Sequence, residues 1–243
     1  MWNGKKKAIT FSFDDGTVQD VRLINILNKY DLKGTFNVCS ALLGVPNTVR
    51  KYNRQVEHSK VRAEDVRSIY AGHEVAVHTL THPWLNKLSD DEVVREIEED
   101  RLRLSELCGY EVEGMAYPFG IYDDRILSLM REHTGIRYSR TIKNTHAFDL
   151  PRSEELLTWH PSVYYIEPEF ESVVDEFLAL DTDEPQLLYI WGHSFELDTD
   201  IEDATFDRIC KNLAGREEIF YGTNSDVLKI VGTGVLDCPF NKK

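Results

Sequence analysis

The chain has 243 residues, of which 42% are hydrophobic, and a formal net charge of −14. That length can bury the core of one large domain, and no apolar run reaches the roughly 18 residues of a membrane span. Such acidity argues against a nucleic-acid partner and favours a neutral or cationic ligand.

Near the start, Lys5-Lys6-Lys7 precede only about six apolar residues before two aspartates, too few for a signal-peptide core. The expected location is therefore cytoplasmic. The four cysteines, Cys39, Cys108, Cys210 and Cys238, are far apart with no Cys-x-x-Cys, which predicts reduced structural thiols.

Residues 8–13 are apolar, β-branched and aromatic, the pattern of a buried strand. The run ends in Asp14-Asp15-Gly16-Thr17. Taken alone, Asp-Asp-Gly is a turn. Two carboxylates at one strand mouth repel each other, however, so a fold that keeps both normally supplies a cation. Residues 18–30 carry helical spacing, and 34–38 form a second strand, completing a β-α-β unit. Residues 44–60 are polar and irregular and are expected to be a surface loop. A helix over 63–70 and a strand over 74–77 follow. The longest helix spans 90–107, opened by Ser89 with Glu92 three residues on, a capping box.

Further strands are expected at 115–117, 138–141, 187–191 and near 219–220. Helices are expected at 124–132, 169–180, 206–214 and 225–231. With neither linker nor repeat, this alternation predicts one α/β domain over 1–243 with a largely parallel sheet, closed or nearly closed as a barrel.

Three motifs carry chemistry. In His78-Thr79-Leu80-Thr81-His82, two histidines separated by three residues meet on one face of a helical turn and offer two imidazoles to one metal. Asp14 or Asp15 can supply a third ligand, and an open His/His/Asp site suits a catalytic Zn²⁺; Co²⁺ or Ni²⁺ also fits such donors. His58, His73, His133 and His146 read as structural or solvated. Tyr117-Pro118-Phe119-Gly120 follows a strand and can aim a backbone N–H at an oxyanion, with aromatic rings to stack on a sugar. His193, at the end of the strand Leu188-Tyr189-Ile190-Trp191-Gly192, is a candidate general acid, with Glu196 and Asp198 in reach to orient it.

From Ile9 to Phe195, these motifs in this order resemble the polysaccharide deacetylase family (carbohydrate esterase family 4). The resemblance implies a deformed (β/α) barrel of seven or eight strands and metal-dependent removal of acetyl from an N-acetylated, sometimes O-acetylated, sugar. By position it implies Asp14 as base and Asp15, His78 and His82 as metal ligands. The Phe119 N–H would serve the oxyanion hole, and His193 would be the acid. Two departures stand out. Ala116 occupies the place of an arginine that orients the base, with Arg140 the candidate replacement. The aspartate that pairs with the acid histidine lacks a clear match, with Asp149 or Glu196 as candidates. Hydrolysis of a small amide or cyclic imide, or sugar binding without catalysis, are the other readings; oligomeric state is unreadable.

Overall fold

The central strand, β1 (Lys7–Asp14), is buried at every position in the computed structural model, which describes residues 2–229. It pairs in parallel with β2 (Gly34–Val38) on one edge and β9 (Gln186–His193) on the other. Beyond β2 lie β5 (Glu74–Val77), β6 (Gly114–Ala116) and β7 (Tyr138–Arg140); beyond β9 lies β8 (Val163–Tyr164). The short β10 (Ile219–Tyr221) pairs with β1 along Lys7 to Ile9, below the stretch that takes β2. These eight strands curl. The segment 159–165 joins the two edges: Trp159 N–H donates to the Ser139 carbonyl, and Tyr165 N–H to that of Trp191. The fold is thus the expected deformed (β/α) barrel.

Period-two alternation sorts the side chains. Phe11, Phe13, Phe36, Val75, Val77, Leu188 and Ile190 belong to one large buried cluster with α1 (Asp20–Lys29), α3 (Asp90–Cys108), α4 (Asp124–His133), α5 (Phe170–Ala179) and α6 (Asp203–Leu213). The alternate residues face inward, and the barrel interior is unusually polar. Glu74 accepts from Thr35 and Tyr138, and Asn224, at the start of α7 (Asn224–Lys229), donates to the Tyr189 hydroxyl. Partners of this kind are what make a buried polar group tolerable. Cys39, Cys108 and Cys210 are free and buried; Cys238 and the end of the last expected helix lie outside the described residues.

Residues 44–60 correct the sequence reading. They are no irregular loop but carry an antiparallel hairpin, β3 (Thr48–Lys51) and β4 (Arg54–Glu57). Tyr52 (φ 48°) and Asn53 (φ 61°) form its two-residue turn, a conformation asparagine tolerates. The alternation was too short and polar to signal strands, because the hairpin packs over a cleft instead of a core. The two-residue β8 gave no sequence signal either. The expected helix over 63–70 is a 3₁₀ turn, Ala63–Asp65, running into a single α-turn, α2 (Val66–Ile69).

Candidate active site

Asp14 and His193 are register partners at the carboxyl ends of β1 and β9. The Asp14 carboxylate receives Arg140 Nη2 on both oxygens and Asn37 Nδ2 at 2.8 Å. Arg140 is fully buried, its Nε donating to Ser12 Oγ and its guanidinium 4.6 Å from the Trp191 ring centre. Burial alone would raise the Asp14 pKa, but the charge of Arg140 above all, with that of His193, holds it below the ordinary value. Asp14 is therefore ionised at neutral pH. Ala116, the register partner of Arg140 on β6, contributes only its carbonyl, which accepts from His78 Nδ1 at 2.8 Å.

That bond fixes the His78 tautomer: with the proton on Nδ1, the lone pair is on Nε2. His78 and His82 do not share a helical turn, as their spacing suggested. The chain between them is irregular, with Thr79 (φ 66°) and His82 (φ 59°) left-handed, and the rings meet with centroids 4.8 Å apart. Helix α3 shapes this loop. Glu96 accepts from the Thr81 N–H and hydroxyl, both at 2.9 Å, and Asp100 accepts from the backbone N–H groups of Ser40 and His78. Neither acid was singled out in the sequence, although their i, i+4 spacing on the longest helix places both on one face.

Asp15 follows with φ 83°, and Gly16 (φ 61°) leaves room for no more than Val38 at 3.0 Å from an added Cβ. Two left-handed residues in succession turn the chain away from the strand, so the Asp15 carboxylate leaves the Asp14–Arg140 pair and approaches His82, 3.7 Å from its Nε2. Donor atoms of Asp15, His78 and His82 all lie within 4.8 Å of one another, close enough to share one ion. Their protonation suits a metal. Burial lowers both histidine pKa values, that of His82 to about 4, so the rings are neutral. Asp15, which burial would raise, is held well below the carboxylate range by the His58 hydrogen bond and Lys60. Deprotonated donors are what a divalent cation requires.

Of the two readings for His58, structural or solvated, the fold takes the structural one. It is not solvated: it is buried at the end of the hairpin with Nε2 3.1 Å from Asp15 Oδ2, and Lys60 Nζ is 3.5 Å from the other oxygen. Their two-residue spacing marks one face of an extended chain. It gained meaning only once β3–β4 folded back, with Lys60 N–H donating to the Val45 carbonyl and Val61 N–H to that of Gly16. His73 and His146 bond elsewhere, to Asn28 and Glu167, and His133 is exposed, 3.8 Å from Glu132.

Glu196 is the carboxylate beside His193. It is buried, accepts the Tyr164 hydroxyl, and lies 3.3 Å from His193 Nδ1. Burial would lower the His193 pKa, yet Glu196 together with Asp14 and Asp15 raises it to about 9. Asp149 belongs to a separate hollow with Pro151 and His160, and Asp198 pairs with Gln19 and Arg22. Asp14, Asp15, His78, His82 and His193 open into a cleft of about 570 Å³. On its rim Phe119 (φ 57°) stacks on Trp84 at 4.7 Å, and both rings are about half exposed. The turn bonds of that loop are made by the Gly120 and Ile121 N–H groups, one and two residues beyond Phe119.

Two imidazoles and a carboxylate gathered at the carboxyl ends of a curled β/α sheet, faced by Asp14 and His193, define a barrel with a candidate catalytic metal centre. The chain belongs to the polysaccharide deacetylase family (carbohydrate esterase family 4), whose model matches residues 2–138, more than half of its length. It is 26% identical over 122 residues to a peptidoglycan-N-acetylglucosamine deacetylase from Bacillus cereus, covering 49% of this chain and 39% of that one. It is 28% identical over 125 residues to a chitooligosaccharide deacetylase from Sinorhizobium fredii, covering 50% and 51%. The chain thus spans about half, or less, of the length of these curated relatives. A family 4 acetyl xylan esterase from Clostridium thermocellum, solved with a cobalt ion, shares the fold with a TM-score of 0.59 at 15% identity, covering 94% of this chain and 93% of that one.

Proposed function

We propose that the chain is a metal-dependent hydrolase that removes acetyl groups from an N-acetylated, or O-acetylated, carbohydrate. The observation that carries this reading is the opposition of Asp14 and His193 across one strand pair, beside the Asp15–His78–His82 triangle. A Zn²⁺, or Co²⁺ or Ni²⁺, held by those three residues would polarise the acetyl carbonyl and acidify water.

The remaining work falls to the chain. Asp14, kept ionised by Arg140, takes a proton from the attacking water as it adds to the carbonyl carbon. The Phe119 N–H, in the first turn of a 3₁₀ segment where N–H groups have no intrahelical acceptor, is the donor for the oxyanion. His193, kept protonated by Glu196, delivers a proton to the departing nitrogen as the C–N bond breaks, leaving acetate and a free amine. General acid–base help of this kind is typically worth about 10²–10⁴-fold per group. The Trp84–Phe119 stack suits a sugar ring better than a small imide, because a flat apolar platform matches the C–H face of a pyranose.

The test is acetate release from N-acetylglucosamine oligomers, with metal content measured on the same samples. Acetate from the wild type, lost in Asp14→Asn and His193→Ala while metal is retained, supports the reading. Near-normal turnover by Asp14→Asn with full metal would remove Asp14 as base.

A further inference from the structure

Glu196 sits in the 3₁₀ turn Ser194–Asp198 that follows β9, its side chain only 1% exposed. Its Oε2 accepts the His193 backbone N–H at 3.1 Å, which fixes the carboxylate. Its Oε1 receives the Tyr164 hydroxyl and lies 3.3 Å from His193 Nδ1. The same oxygen is 3.6 Å from the ammonium of Lys51. Two cations, protonated His193 and Lys51, therefore share one carboxylate oxygen.

Lys51 ends β3 of the hairpin and has about a quarter of its side chain exposed. Its ammonium pairs with both Glu196 and Asp200 and lies 5.4 Å from the Phe195 ring centre. The hairpin has other anchors. Tyr52 donates to Asp200 at 2.7 Å, Gln19 to the Glu57 carbonyl at 2.8 Å, and Val18 N–H to that of Ser59 at 2.9 Å. Withdrawing an ammonium from water is unfavourable, so a lysine not needed to hold the ribbon points to a role at Glu196.

We propose that Lys51 is a positioning residue for the general acid: it fixes the Glu196 carboxylate that orients His193 and takes a share of its charge. The inference rests on the deacetylase reading above and adds a residue that acts through another. Glu196, Asp14 and Asp15 all bind the imidazolium proton more tightly, whereas an acid works best with a pKa near the working pH. Lys51, drawing on the same oxygen, loosens that hold. Asp200 in turn draws on Lys51, so the two residues act on His193 with opposite signs. The other groups facing His193 are Asp14 and Asp15 on β1, with Arg140 behind them, and Tyr164 on β8. His58, Lys60, Arg50, His78 and His82 line the same cleft. All of these stay in place in the variants below, so differences between variants report on Lys51 and Asp200.

The experiment titrates His193 by NMR in the Zn²⁺-loaded protein from about pH 6 to 11, across the reference histidine value and the raised one. Acetate release is profiled over the same range for the wild type, Lys51→Met, Lys51→Arg and Asp200→Asn. Lys51→Met should raise the His193 midpoint, and the alkaline limb of kcat with it, by about one pH unit. Asp200→Asn should lower both, and Lys51→Arg should stay near the wild type. A lysine that only anchored the hairpin would give another pattern. Lys51→Met and Asp200→Asn would then both loosen the ribbon, let water reach Glu196 and move the midpoint down together. Movement in one direction, or none, overturns the inference even if acetate is released. Opposite movements of the NMR midpoint without acetate release would sustain the role of Lys51 beside His193 and sink the deacetylase reading instead.

Discussion

Arg140 and Asp14, 126 residues apart in sequence, form a doubly hydrogen-bonded ion pair in the barrel interior, with side-chain exposures of 0% and 4%. The pair gives Asp14 its charge and its direction, with Asn37 and Ser12 completing the shell around the two side chains. Arg140→Met strands a buried carboxylate and is expected to cost about 3–5 kcal/mol of stability at neutral pH. The folded Asp14 pKa is depressed, so its stabilising contribution is present above the unfolded value of about 3.9 and is lost as pH falls through the folded one. Urea denaturation of both proteins from pH 7 downwards should show the gap narrowing in acid. A gap independent of pH would mean that packing, not charge, dominates.

His193, the proposed acid at the other side of the cleft, behaves with the opposite sign. His193 is raised to about 9 in the folded chain, with Glu196 the leading favourable partner. Its contribution to stability is full below the unfolded value of about 6.5 and is lost as pH rises through 9. Turnover that needs protonated His193 should fall on the same limb. Glu196→Gln is expected to bring the alkaline limb of kcat down towards 6.5, read from a pH–rate profile between 6 and 10.

Metal binding should be visible as stability. A ligand that binds only the folded chain adds about 2.7 kcal/mol at a hundredfold excess over Kd. Chelation is expected to lower the Tm of the wild type, and added Zn²⁺ or Co²⁺ to restore it. His78→Ala should show neither shift, because it removes one corner of the Asp15–His78–His82 triangle.

Glu96 tests how far the helix governs the site. Its carboxylate holds both the N–H and the hydroxyl of Thr81, one residue before His82. Glu96→Ala leaves every ligand in place but frees the loop. Loss of an outer-shell contact typically lowers metal affinity by about 10–100-fold, measurable by titration with Co²⁺ followed in the visible spectrum. Unchanged affinity would show that the loop holds its shape without α3.

Gly192 reports on the seat of His193. An added Cβ would lie 2.1 Å from the Tyr165 ring, whose hydroxyl bonds the His193 carbonyl at 2.9 Å. Gly192→Ala is expected to cost about 1–3 kcal/mol, the range for overpacking, with kcat falling as well because the displaced ring supports the acid. Thermal unfolding and steady-state kinetics on the same variant check both.

What the sequence determined by itself was the local periodicity and the motifs that end it. Short apolar and β-branched runs set β1, β2, β5 and β9, helical spacing set α1, α3 and α5, and the breaks at Asp14-Asp15, at His78 and at Gly192-His193 marked where strands stop. These signals are legible because a buried strand or an amphipathic helix writes its environment into every second or every third to fourth residue. Only the tertiary structure decided which polar groups meet. The turn of Tyr52 and Asn53, with both residues at positive φ, folds a polar segment into a hairpin and brings His58 and Lys60 to Asp15. Curling of the sheet brings β7 to face β1, so that Arg140 can reach Asp14. Burial then makes these meetings matter, because the charges that hold Asp14 ionised and His193 protonated act through a low-dielectric interior. Apart from Glu196, three residues from His193 and a candidate already in the sequence, these partners lie tens to more than a hundred residues apart and share no period, so no local pattern records them.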